Sequence, residues 1–137
     1  MAANVDDYRA TYLGTMQAGC ISVPVNWKLP QSALHHVLQD SDSLMVFADH
    51  ERLSSIPAGY KVVEFGPEFE AFLDPGDFEP LTMAQDEVAM FLYTSGSTGN
   101  PKGVPLTHAG HIWVTATRVR GAPDTGEHRA LVAAPLY

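Results

Sequence analysis

The sequence predicts an α/β fold on three observations. Continuous apolar runs of strand length recur, as in 44–48 (LMVFA), 88–93 (VAMFLY) and 130–134 (ALVAA). Segments with apolar residues at spacings of three and four alternate with them, and turns rich in glycine and proline separate the two kinds. Strands that are apolar throughout need cover on both faces, so helices are expected to pack over a sheet. A chain of 137 residues holds at most one compact unit or a piece of a larger one. Its 45% hydrophobic content suffices for a core and excludes disorder as the main state.

Each element follows from local pattern. Val5, Tyr8, Tyr12 and Met16 keep the helical period, with Asn4 as the expected N-cap, Asp6 and Asp7 at the dipole-favoured first turn, and Gly19 as the stop. Residues 20–25 then read as a short buried strand beneath that helix, ended or edged by Pro24. After Leu29-Pro30, the set Leu34, Val37 and Leu38 predicts a second helix, 44–48 a second strand and 62–65 a third. Pro67, Pro75, Gly76 and Pro80 predict a surface loop with a helical turn at 69–73. That loop lies within 64–87, which carries eight acids and no Lys or Arg and reads as a solvated acidic face. Residues 88–93 predict a buried strand and 104–106 a strand-like segment. A helix follows Thr107, with Ile112, Ala116 and Val119 on its packed face. Residues 121–127 are turn-rich, and 130–134 read as one more buried strand. Packed elements so near Met1 and Tyr137 are expected of an internal piece of a larger protein.

Charge and cysteine content narrow the function classes. Eight Lys and Arg against sixteen Asp and Glu leave a net charge of −8, which argues against a broad nucleic-acid or anionic-membrane surface. Any bound anion must therefore be held locally. The single cysteine, Cys20, can form no internal disulfide, and no CxxC pair offers a zinc site. No basic leader and no bilayer-length apolar run are present, so a cytoplasmic protein without a transmembrane segment is expected.

One segment concentrates chemistry. Residues 93–103 (YTSGSTGNPKG) hold four aliphatic hydroxyls, three glycines and one lysine. Glycines let the backbone adopt positive φ and turn successive N–H groups inward towards an anion. Thr94, Ser95, Ser97 and Thr98 add hydroxyl donors, and Lys102, the first cationic side chain after Lys61, can neutralise a phosphate by charge-assisted hydrogen bonds. Pro101 biases Asn100 towards extended backbone and so sets the direction in which Lys102 leaves the loop. A Walker A loop starting at Gly96 would need glycine where Pro101 stands and Ser or Thr where Gly103 stands, and no GxGxxG occurs. P-loop kinases and Rossmann dinucleotide sites are thus excluded. The flanking apolar strand anchors the tract on a scaffold, where functional loops concentrate.

The run 93–104 (YTSGSTGNPKGV) resembles the phosphate loop of the AMP-forming adenylate-forming enzymes, the superfamily of acyl-CoA synthetases, luciferases and peptide-synthetase adenylation domains. His108 stands where that family usually has a histidine. Residues 134–137 (APLY) resemble the start of its next motif, and 12–26 is similar to its helix-strand segment, so the likeness covers almost the whole chain. The resemblance implies part of the large N-terminal domain, over 1–137, of an enzyme that joins a carboxylic acid to MgATP as an acyl-adenylate and then passes the acyl group to coenzyme A. It implies that Thr94, Ser95, Gly96, Ser97, Thr98, Gly99 and Lys102 grip the ATP phosphates, and that His108 and Tyr137 lie near the substrate pocket. It also implies that the catalytic residues, and the C-terminal domain with its catalytic lysine, lie beyond Tyr137, so that this chain alone is inactive. The run 24–29 (PVNWKL) resembles fatty or aromatic acyl-CoA ligases more than the Pro-Leu-Asp-Pro type run of peptide synthetases. A peptide-synthetase-type fragment and a non-catalytic nucleotide-binding remnant are the alternatives.

The remaining candidates receive ordinary roles. His108 and His111 do not fill a metal shell, and no metal site is expected. His35 and His36 read as helix surface and boundary positions, Cys20 as a small packed hydrophobe, and Trp27 and Trp113 as core or helix-packing residues.

Overall fold

The computed structural model describes residues 1–2, 6–94, 99–121 and 126. Helix α1 (Asp6–Gln17) is followed by α2 (Gln31–Asp40), strand β1 (Met45–Ala48), a 3₁₀ helix (His50–Ser55), strand β2 (Lys61–Glu64) and α3 (Pro67–Phe72). Strands β3 (Val88–Thr94) and β4 (Lys102–Thr107) and helix α4 (His108–Gly121) complete the described order. The expected helices and four of the expected strands are therefore present, in an α/β arrangement. Asn4, and the strand expected at 130–134, lie outside the described residues.

The sheets divide by connection length. Strands β1 and β2 pair in parallel, Val46 opposite Val62 and Phe47 opposite Val63, with the 3₁₀ helix in the crossover that a parallel pair requires. Strands β3 and β4 pair antiparallel, from Val88 opposite Thr107 to Thr94 opposite Lys102. A short connection permits only that direction. The core gathers around α2: Leu34, Val37 and Leu38 pack with Val25, Val46 and Ala48, and Val37 and Ala48 are fully buried. This is the stripe predicted from spacing. Phe47 makes ring contacts with Phe65, Phe69 and Phe72 at centroid distances of 5.4–6.4 Å, fastening α3 to the β1–β2 pair. The α1 helix stops at Gly19 as expected, where φ is +72° and the Cys20 N–H donates to Thr15 O at 3.0 Å.

Four expectations are corrected. Residues 20–25 form no full strand; they touch β3 through Ser22, whose N–H donates to Ala89 O and whose carbonyl accepts from Phe91 N–H, each at 3.0 Å. Pro24, lacking an N–H, cannot extend that ladder. Buried residues on α1 amount to Tyr8 among those described, so the helix does not lie deeply over residues 20–25. On α4, Ile112 and Val119 are exposed at 61% and 55%, and Trp113 at 67%, so its apolar residues are not packed by the described part of the chain. Cys20 is exposed rather than packed. Trp27, half-buried, carries the Arg52 guanidinium over its ring at 4.1 Å.

Replacing Leu34, 2% exposed, by alanine is expected to lower unfolding free energy by about 2–5 kcal/mol. The same change at Leu44, 88% exposed, should stay within about 0.5 kcal/mol. Urea denaturation of the two variants measures both.

Candidate functional site

The hydroxyl and glycine tract joins β3 to β4, so the antiparallel ladder decides which of its ends meet. Thr94 and Lys102 form the last pair, directly opposite one another at the mouth of the hairpin, and both are exposed. Paired residues project to the same side of a strand pair, so the threonine hydroxyl and the lysine ammonium share one face. Among the described residues no carboxylate lies within ion-pair distance of Lys102. Gly99 has φ +111°, in the region that side chains disfavour, and open space beside its Cα. Glycine is therefore required there for backbone shape and not for room. Ser95, Gly96, Ser97 and Thr98 lie outside the described residues.

One pair back from the mouth, Tyr93 faces Gly103. A Cβ on Gly103 would come within 3.0 Å of the tyrosine ring, so the ring lies across the bare glycine backbone. From there the Tyr93 hydroxyl donates to Asp40 Oδ2 at 2.7 Å. His36 Nε2 stands 2.9 Å from the Pro101 carbonyl oxygen. A carbonyl has no proton to give, so Nε2–H is the donor and the imidazole carries its proton there. His36 and Asp40 are four residues apart on α2, hence neighbours on one face. With Asn100, Pro101, Lys102 and Gly103 they line an open cleft of about 380 Å³ under the loop stem. Sequence reasoning assigned His36 to ordinary helix surface and did not select Asp40. The available signal was their spacing of four on the side of α2 away from Leu34, Val37 and Leu38.

His108 sits elsewhere. It opens α4, where its N–H donates to Glu87 O at 3.1 Å, at the opposite end of β4 from Lys102. The strand between them spans about 17–20 Å at ~3.4 Å per residue. The hairpin therefore does not bring His108 to the loop, and Tyr137 lies outside the described residues. Among the described residues no group of three or more His, Cys, Asp and Glu could hold a metal ion. None of the described helices is long and apolar enough to cross a membrane.

Residues 1–137 match, end to end, the family described as AMP-binding enzyme. The chain belongs to that family. A feruloyl-CoA synthase of Amycolatopsis is 34% identical across the whole chain, which spans 28% of that protein's length. The solved o-succinylbenzoate-CoA synthetase MenE of Bacillus subtilis, in complex with its acyl-adenylate intermediate, superimposes with a TM-score of 0.86 at 24% identity over 99% of this chain and 36% of its own. The adenylation and carrier unit of McyG, in complex with phenylalanyl-adenylate, follows with a TM-score of 0.69 at 27% identity over 88% of this chain and 21% of its own. The fold is thus that of part of the N-terminal domain of adenylate-forming enzymes, and the chain spans about a quarter of the curated relative's length. Family members include AMP-forming ligases such as the synthases named.

The Tyr93 phenol is pushed up to about 12 by burial and by the adjacent Asp40 carboxylate. Folding favours the protonated phenol, so its stabilising contribution is complete below about pH 10 and is lost as pH rises towards about 12. Tyrosinate absorbance during alkaline titration should show a late component near 12 that Tyr93→Phe lacks. Separately, Gly99→Ala should cost about 1–3 kcal/mol in chemical denaturation, because any Cβ residue must hold the positive φ.

Proposed function

We propose that the chain is the phosphate-gripping part of an ATP-dependent acyl-CoA ligase. The parent enzyme activates a carboxylic acid, fatty or aromatic, as an acyl-adenylate and then transfers the acyl group to coenzyme A. The observation that carries the assignment is the pairing of Thr94 with Lys102 at the mouth of a glycine-bearing hairpin loop, within a chain of the AMP-binding enzyme family. The 34% identity to a feruloyl-CoA synthase and the run 24–29, which resembles fatty or aromatic acyl-CoA ligases, support an acyl-CoA ligase over a peptide-synthetase type.

The chemistry asked of the loop is electrostatic. When a carboxylate attacks the α-phosphate of ATP, charge develops on the departing pyrophosphate, and fixed donors around the β and γ phosphates stabilise it. Lys102 would supply the positive charge, Thr94, Ser95, Ser97 and Thr98 the hydroxyl donors, and Gly96 and Gly99 the backbone shape. Magnesium prefers oxygen ligands and is commonly carried by substrate phosphates with few protein groups. The hydroxyl-rich tract suits that ion, and the exposed Lys102 suits the phosphates it accompanies. Acyl transfer would use residues beyond those described, and the cytoplasm is the compartment proposed for the enzyme.

Titration of the 137-residue chain with MgATP tests the reading. Binding is expected, and Lys102→Ala should weaken it by about 1.5–3 kcal/mol, roughly ten- to a hundredfold, because a charge-assisted hydrogen bond is lost. Acid-dependent exchange of pyrophosphate into ATP by this chain alone is expected to be absent. Unchanged MgATP affinity in Lys102→Ala would refute the assignment.

A further inference from the structure

The hairpin is tied to α2 on both sides of its mouth, through His36 and Asp40, which lie outside the loop. Pro101 is buried between exposed Asn100 and exposed Lys102, and its carbonyl is the acceptor of the His36 Nε2–H bond. Proline has no N–H, so that carbonyl is the backbone polar group by which the position is held. On the other stem, Asp40 accepts the Tyr93 hydroxyl while the tyrosine ring covers Gly103. Tyr93 immediately precedes Thr94, and Pro101 immediately precedes Lys102. The two bonds therefore act on the residues adjoining the pair that faces across the mouth.

We propose that His36 and Asp40 are positioning residues for the polyphosphate site: by holding Pro101 and Tyr93 from one face of α2, they fix where the Lys102 ammonium and the Thr94 hydroxyl stand. The inference rests on the reading of this loop as the ATP phosphate site. Its physical basis is preorganisation. A long, exposed lysine loses rotamer and backbone freedom when it grips an anion, and a stem already fixed reduces the part of that loss that falls on binding. Helix α2 suits the task because its opposite stripe is anchored in the core by Leu34, Val37 and Leu38.

The test uses the 137-residue chain and MgATP as probe. His36→Leu removes the donor while keeping bulk, and His36→Gln restores an N–H at similar reach. His36→Leu should weaken MgATP three- to tenfold, the range of about one ordinary hydrogen bond, and His36→Gln should recover most of that loss. Tyr93→Phe, which breaks the other tie and leaves Asp40 in place, should weaken MgATP to a similar degree, and it decides the matter if His36→Leu does not fold. Amide hydrogen exchange provides a readout independent of nucleotide: Lys102 and Gly103 should exchange faster in His36→Leu, with the β1–β2 amides unchanged. A folded His36→Leu that binds MgATP as tightly as the parent chain, or a glutamine variant no better than leucine, overturns the positioning role. Absence of MgATP binding by the unsubstituted chain overturns the phosphate-site reading and this role with it. Those two failures are told apart by the unsubstituted chain's own titration.

Discussion

The orientation of α2 is the constraint on which the rest depends. Leu34, Val37 and Leu38 must leave water together, and the space that accepts them is bounded by Val25, Val46 and Ala48. Burying each such side chain is worth about 1.5–3 kcal/mol, whereas a hydrogen bond such as His36 to Pro101 nets about 0.5–1.5 kcal/mol. The apolar stripe therefore decides how the helix is rotated, and the polar pair on its other side follows. Rotation by a single residue would carry His36 towards the core and away from Pro101, losing both terms at once.

Given that rotation, the hairpin becomes the second fixed object. The connection between Thr94 and Lys102 is too short for a parallel crossover, so the strands run antiparallel and the two ends of the loop meet by necessity. Gly103 serves this arrangement by lacking a side chain where the Tyr93 ring must lie, and Gly99 by accepting a positive φ. These are different uses of the same residue type. The result is a loop whose stems are fixed on a packed helix, the preorganisation that the proposed grip on a departing phosphate group would use.

Membership of the AMP-binding enzyme family places these local facts within a known fold, and the chain spans about a quarter of the length of a feruloyl-CoA synthase relative. Within that portion the division of labour is clear. The β1–β2 pair with α3 and its phenylalanine cluster forms a packed support, and the β3–β4 hairpin presents polar groups at its mouth.

The sequence by itself determined what depends on neighbours along the chain. Helical spacing identified the buried stripe of α2, unbroken apolar runs identified β1 and β3, Gly19 marked the end of α1, and the composition of 93–103 picked out the loop together with its family resemblance. Where recognition required a partner distant in sequence, the pattern was mute. An apolar face on α4 was legible, but periodicity does not state what covers it, and Ile112 and Val119 are exposed. His36 and Asp40 look like any polar helix positions until Pro101 and Tyr93 are brought to them across 65 and 53 residues of chain. Local pattern encodes which side of an element is apolar; only the closing of the chain on itself decides which polar groups come within 3 Å, because a hydrogen bond is short-ranged and directional while burial is neither.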